Sequence, residues 1–133
     1  MRDIPVSQKA VVFNEEGKLL AIRRSGTAPV GPHTWDLPGG DLEYGEDPTE
    51  GMNREIKEET GLEVVGLTPF DVEGHVNNDG SAYWVTIAYK ATARGEVKLS
   101  YEHDSYQWVT KKEFLALSSR AKLRRFVENV RIR

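Results

Sequence analysis

The chain contains no cysteine, so no disulfide framework braces it and no thiolate is available to bind a metal. Its three histidines, His33, His75 and His103, are scattered along the sequence, and without cysteine they do not make a zinc site. No apolar run approaches the roughly 20 residues that a membrane-spanning helix needs. No basic segment followed by an apolar core opens the chain in the manner of a secretory signal. The net charge is only −3, which gives no overall pull toward nucleic acid or an anionic membrane. There is no low-complexity linker and no internal repeat. What remains, 133 residues of which 38% are hydrophobic, is enough for one core and too little for two. A single domain over residues 1–133 is expected, in a reducing compartment and most simply the cytoplasm.

What is present in excess is acid, gathered between Gly40 and Leu62 in the run GDLEYGEDPTEGMNREIKEETGL. The run predicts a helix with explicit ends. Asp47 is the N-cap, Pro48 stands at the first helical position, and Glu50 follows three residues after the cap. Gly61 supplies the stop, since it tolerates the left-handed conformation past a C-terminus. Met52, Ile56 and Thr60 recur at helical spacing and should face the core. At about 100° per residue, Glu55, Glu58 and Glu59 then share a narrow arc beside that buried stripe, at the edge of a cleft. Like charges so placed cost a helix roughly 0.2–0.5 kcal/mol per pair unless a cation sits among them. Hard carboxylate oxygens suit Mg²⁺ or Mn²⁺. Gly51 falls one turn before Glu55, and its missing side chain lets another segment approach. The Pro38-Gly39-Gly40 turn is the expected neighbour.

Around this helix the pattern alternates. An apolar run over Ala10–Phe13 ends at the turn Asn14-Glu15-Glu16-Gly17, and Leu19–Arg24 reads as its hairpin partner. Residues Ser25–His33, rich in Gly and Pro, form a loop leading to Thr34-Trp35-Asp36-Leu37 and the glycine turn. Strands are expected over Glu63–Gly74 and Ala82–Ala93, joined by Asn77-Asn78-Asp79-Gly80-Ser81, and again around Ser105–Val109. Thr110-Lys111-Lys112-Glu113 has the form of a capping box opening a short helix. A last helix, starting near Ser118 or Ser119, should bury Leu123, Phe126, Val127 and Val130. This order suits a mixed sheet with helices on both faces, an α/β (α+β) fold.

Glutamates alone would be a solvated helix face. Their surroundings argue otherwise. Gly40, Glu46, Arg54, Glu55, Ile56, Glu58, Glu59, Gly61 and Leu62 meet the pattern G-x5-E-x7-R-E-U-x-E-E-x-G-U, with U a bulky aliphatic, without a mismatch. The stretch resembles the signature box of the Nudix hydrolases, the MutT-like family, most strongly over Leu19–Leu62. The resemblance implies an α/β/α sandwich with a mixed β-sheet. It also implies hydrolysis of a nucleoside diphosphate linked to another moiety, with water and divalent ions.

On that resemblance Glu55, Glu58 and Glu59 ligate Mg²⁺ or Mn²⁺, with the backbone carbonyl of Gly39 completing the shell. Arg54 and Glu46 form a supporting ion pair, although Glu46 is also a possible ligand. The general base is either Glu102, six residues before Trp108 and itself a candidate ligand, or Glu55. Asp104 is a weaker candidate. Arg23 and Arg24 end a strand where MutT-like proteins carry a phosphate-contacting arginine. Since strand neighbours face opposite sides, one of the two points inward, and Arg24 is favoured. Gly40 is placed with them on the substrate side. Trp35, Tyr83 and Trp84 are candidates to stack on a base, and Asn77 and Asn78 to read its edge.

Neither the proline associated with ADP-ribose nor the tyrosine associated with dinucleoside polyphosphates is found around His75–Asn78. The expected substrate is therefore a small-molecule (deoxy)nucleoside triphosphate, cleaved to the monophosphate and pyrophosphate by a monomer or homodimer. The alternatives are a nucleotide sugar, a capped RNA end, or a non-catalytic nucleotide-binding module. Only the basic row Arg120, Lys122, Arg124, Arg125, Arg131 and Arg133 speaks for RNA, and such a row is ordinarily the solvated side of a terminal helix. A nucleic-acid partner is not expected. Decay of the glutamate set would mark the binding module, and here the set is complete.

Overall fold

The computed structural model of the chain describes residues 3–132. Strands β1 (Val6–Phe13) and β2 (Leu19–Arg24) form the expected hairpin. Asn14 tightens the turn by accepting, through its side chain, the N–H groups of Glu16 and Lys18, each at 3.0 Å. The two strands then part, because they are directly paired only at Phe13 and Leu19, beside the turn. Into the opening comes the segment 35–41. Its first half, β3 (Trp35–Asp36), pairs with β2, and its second, β4 (Gly39–Asp41), pairs antiparallel with β1.

This corrects the expectation of a glycine turn at Pro38-Gly39-Gly40. Neither Gly39 nor Gly40 has a positive φ. The open backbone of β1 recruits them as a strand. Gly39 is required there for close approach, since a Cβ would collide with the carbonyl oxygen of Gln8.

The sheet continues from β1 to β6 (Tyr83–Arg94), which runs parallel to it, and then to the antiparallel β5 (Glu63–Val76). On the other side β7 (His103–Val109) pairs antiparallel with β2. Seven strands thus make one mixed sheet.

Alternation along β1 and β2 sends side chains to opposite faces. Val11, Phe13, Leu19 and Ala21 pack with Phe114 of α2 (Lys111–Leu115) and with Leu123, Phe126 and Val127 of α3 (Ala121–Asn129). Ala10, Val12, Leu20 and Ile22 pack on the reverse face with Met52 and Ile56 of α1 (Pro48–Thr60). Helices therefore cover both faces, as the α/β/α expectation requires. Each fully buried Val, Leu, Ile, Phe or Met side chain among these contributes about 1.5–3 kcal/mol.

The capping box of α2 is complete: Thr110 Oγ1 accepts the Glu113 N–H at 3.1 Å, and Glu113 Oε1 accepts that of Thr110 at 2.9 Å. Helix α3 starts later than the serines suggest. Ser118 and Ser119 are drawn into the sheet, where the Trp35 N–H donates to the Ser118 carbonyl at 2.8 Å and Trp35 bridges Ser119. Arg120 becomes the N-cap, with no side-chain cap bond. Strand β7 begins at His103, ahead of the expected Ser105, and a bulge between Arg23 and Arg24 adjusts its register.

Candidate active site

The caps of α1 set its carboxylates in place. Asp47 accepts the Glu50 N–H at 3.1 Å, and Gly61, at φ 73°, returns its N–H to the Lys57 carbonyl at 2.9 Å. Glu59 then lies on the buried side, 6% exposed, and accepts the Gly39 N–H at 2.8 Å. Burial pushes its carboxyl up to about 8. Lys9 and the Gly39 N–H oppose the rise, while Glu55 and Asp36 add to it.

Glu55 lies against Gly40, where a Cβ would stand 2.9 Å from its carboxyl carbon. Burial raises the Glu55 carboxyl too. Arg54 offsets part of this, and Glu58 and Glu102 add repulsion. Two carboxylates are thus desolvated beside each other, with a diglycine backbone at their side.

Glu58 is turned away. Its side chain is 58% exposed and pairs with Arg54 at 3.1 Å. Arg54 also holds Glu46 at 2.9 Å and Glu55 at 3.1 Å, so it links three glutamates to one guanidinium. The neighbour of Gly51 is Glu46, whose Oε1 would lie 2.6 Å from a Cβ there, and not the Pro38-Gly39-Gly40 segment. That glycine makes room for the Glu46–Arg54 pair.

Among the described residues no three His, Asp or Glu side chains are gathered as a ready metal cluster. The donor chemistry still fits Mg²⁺ or Mn²⁺. Glu55 and Glu59 offer hard oxygens, their desolvation and mutual repulsion are relieved by a cation, and Glu102 shares their cleft.

That cleft, of about 690 Å³, runs from the α1 carboxylates to the start of α3. Arg24 points into it, donating to the Val30 carbonyl at 2.7 Å and to Asp36 at 3.1 Å. Arg23 faces the other way and pairs with Asp104 at 2.8 Å, so neither of these two lines the cleft. Gly39, Gly40, Asn77, Trp84 and Glu102 all do. Asn78 and Tyr83 do not, and Trp35 packs against the α2–α3 side of the core.

Sequence reasoning missed the cluster on the cleft floor. Asp36, 1% exposed, receives Lys9 Nζ at 2.9 Å and Arg24 Nη1 at 3.1 Å, with His103 Nε2 at 3.7 Å and Arg120 Nη2 at 3.8 Å. Burial would raise its carboxyl, but Lys9, His103 and Arg120 hold it well below the ordinary carboxylate range. The one local signal was Lys9, a charge directly before the apolar run Ala10–Phe13 of β1.

Arg120 and Lys122 also leave the solvated row and enter the cleft. Arg124 donates instead to the Leu115 carbonyl at 2.7 Å, and Arg125 pairs with Asp71 at 3.0 Å. Arg133 lies outside the described residues. Four residues of the basic row are thereby divided between the cleft and separate partners.

The family model described as NUDIX domain matches residues 4–130. A MutT-like protein of Streptomyces ambofaciens is 37% identical over 109 residues, covering 81% of this chain and 65% of its own length. The chain thus spans just under two thirds of that relative. Nucleoside triphosphatase NudI of Escherichia coli is 31% identical over 108 residues, covering 74% of this chain and 77% of NudI. Among solved structures, a MutT protein from Methanosarcina mazei superposes with a TM-score of 0.78 at 35% identity, covering 96% of this chain and 92% of that one. The glutamate helix, the diglycine strand it touches and the sheet that carries them thus agree with an independent match over nearly the whole sequence, and the chain belongs to the Nudix hydrolase family, on its MutT-like side.

Proposed function

We propose that this domain is a divalent-cation-dependent pyrophosphohydrolase that cleaves (deoxy)nucleoside triphosphates to the monophosphate and pyrophosphate. One observation carries the reading: two desolvated carboxylates, Glu55 and Glu59, stand against Gly39 and Gly40 at the acidic end of a cleft whose other end is basic. The name of the Escherichia coli relative, a nucleoside triphosphatase, supports the substrate class.

In the reaction, water adds across a phosphoanhydride. A P–O bond to the water oxygen forms, the bridging P–O bond breaks, and a proton is released. When bound, Mg²⁺ or Mn²⁺ supplies the positive charge that neutralises the anhydride oxygens and lets water act as a nucleophile near neutral pH. Glu55 and Glu59 would hold it, with Glu58 joining from one turn away and Gly39 from the adjacent strand. Arg54 fixes Glu46, Glu55 and Glu58 relative to one another. Glu55 and Glu102, both in the cleft, are the two groups able to take the water proton. Arg24 faces the phosphates, and Gly40, having no side chain, leaves room for the Glu55 carboxyl beside them. Trp84 and Asn77 stand at the rim where a base would lie. The domain acts as a monomer or homodimer, in the cytoplasm.

The test is pyrophosphate release from a panel of nucleoside triphosphates with Mg²⁺, beside Glu58→Gln and Glu59→Gln. Both variants should lose at least about 100-fold in turnover while keeping the fold. A wild-type protein that cleaves nucleotide sugars or capped RNA in preference would reassign the substrate. Silence on every diphosphate-containing compound would remove the enzymatic reading.

A further inference from the structure

The face of β1 that meets α1 is apolar at Ala10 and Val12, and two residues earlier it carries Gln8, 2% exposed. An amide buried there is costly unless its N–H groups find acceptors. Both do: Gln8 Nε2 donates to the Pro48 carbonyl at 2.9 Å and to Tyr89 Oη at 2.7 Å. A carbonyl only accepts, so the nitrogen of the amide is the atom that faces α1.

Pro48 opens α1, and the bond reaches the helix where its apolar grip on the sheet has not yet begun. Met52 is the first buried side chain of α1, and Asp47 caps the first turn from within the same segment. The rear of the helix is tied separately. There the Lys98 N–H donates to the Thr60 carbonyl at 2.8 Å, and the Ser100 N–H to the Glu59 carbonyl at 3.3 Å. Glu55 lies between the two anchors, seven residues after Pro48 and on the same face. A helix released at its front would pivot on its rear and carry Glu55 further than Glu59.

The backbone of the same glutamine fixes what Glu55 faces. In the β1–β4 register Gln8 stands opposite Gly40, and its carbonyl oxygen is the atom against which Gly39 fits. Glu55 lies against Gly40, and Glu59 accepts the Gly39 N–H. Gln8 therefore holds the diglycine strand through its main chain and the carboxylate helix through its side chain. An apolar residue would fill the position without burying an amide, but it would leave the front of α1 unattached to β1.

We propose that Gln8 is a positioning residue: its bond to Pro48 sets the spacing between Glu55 and the Gly39-Gly40 strand, and with it the geometry offered to the divalent cation. The inference rests on the pyrophosphohydrolase reading and adds to it a residue that touches neither the ion nor the substrate.

The test is Gln8→Met, which keeps the length of the side chain and removes both donors. Mn²⁺ binding to the protein without nucleotide, followed by the paramagnetic resonance of the free ion, should weaken about tenfold, the effect expected of a group that orients metal ligands. Turnover of a nucleoside triphosphate at saturating Mg²⁺ should fall about 10- to 100-fold while KM for the nucleotide changes little. Val109→Ala is the control for stability alone, since it opens a cavity in the core on the α2–α3 side of the sheet. Its melting temperature should fall at least as far as that of Gln8→Met, with Mn²⁺ affinity and turnover kept.

A Gln8→Met protein that binds Mn²⁺ as wild type does, or an equal loss of Mn²⁺ affinity in Val109→Ala, overturns the assignment. If wild type and Gln8→Met hydrolyse nucleotides equally well, the positioning role fails and the catalytic reading stands. If wild type binds Mn²⁺ but hydrolyses no nucleotide, and Gln8→Met still weakens the ion, the catalytic reading fails and the positioning role stands.

Discussion

Lys122 is a charge that the fold holds against its own stability. Its ordinary pKa of 10.5 is pushed down to about 8, first by burial and then by Arg120 and Lys9, with Glu73 and Asp36 pulling the other way. The sign of the consequence is fixed by linkage. Below about pH 8 the lysine is protonated in both the folded and the unfolded chain, and the fold bears the whole cost of the misplaced charge. Between about 8 and 10.5 the unfolded chain holds more of the proton, so stability recovers as pH rises through that window. Urea unfolding at pH 7 and at pH 9.5 should therefore show Lys122→Met more stable than wild type at the lower pH, with the gap narrowing at the higher. A constant gap would contradict this account of the residue. Asp36 solves the same problem differently. Its burial is met by Lys9 and Arg24 at hydrogen-bond distance, so the same kind of cost is compensated within the fold.

At the scale of elements, the strand β4 matters most, because it carries the diglycine to the carboxylates of α1. Gly39→Ala would drive a methyl group into the Gln8 carbonyl oxygen, a backbone atom that cannot step aside. The variant should lose about 1–3 kcal/mol by overpacking, and activity should fall further than stability because the Gly39–Glu59 bond shifts with the strand. Urea unfolding beside pyrophosphate release checks both, and an unchanged protein would show that β4 tolerates displacement. This element was also the one its sequence concealed. Pro-Gly-Gly has the composition of a turn, and only the parting of β1 and β2, a long-range fact, makes it a strand. Where the determinants were local, the reading succeeded: Asp47, Pro48 and Gly61 end α1 where expected, and Thr110 with Glu113 caps α2. Helix α3 starts after the two serines because Trp35, more than 80 residues earlier, holds them in the sheet.

For the whole molecule, the consequence of these placements is a cleft with one acidic end and one basic end, built on a sheet covered by helices on both faces. The acidic end was legible, since Glu55 and Glu59 come from one helix at helical spacing. The basic end was not, because Lys9, Arg24, Asp36, His103, Arg120 and Lys122 arrive from five elements or the segments between them and share no sequence pattern. Glu58 stands between the two cases: its position was legible, and its pairing with Arg54, away from the cleft lining, was not. The two ends fit a polyphosphate lying along the cleft with a divalent cation at Glu55 and Glu59. The most direct test of that claim is pyrophosphate release from a nucleoside triphosphate, followed as Mg²⁺ is removed by a chelator and returned, in wild type and in Glu59→Gln. The account predicts that turnover vanishes with the cation, returns with it in wild type, and stays at least about 100-fold lower in the variant at any Mg²⁺ concentration. Undiminished turnover in the chelator, or a Glu59→Gln variant as active as wild type, would contradict it.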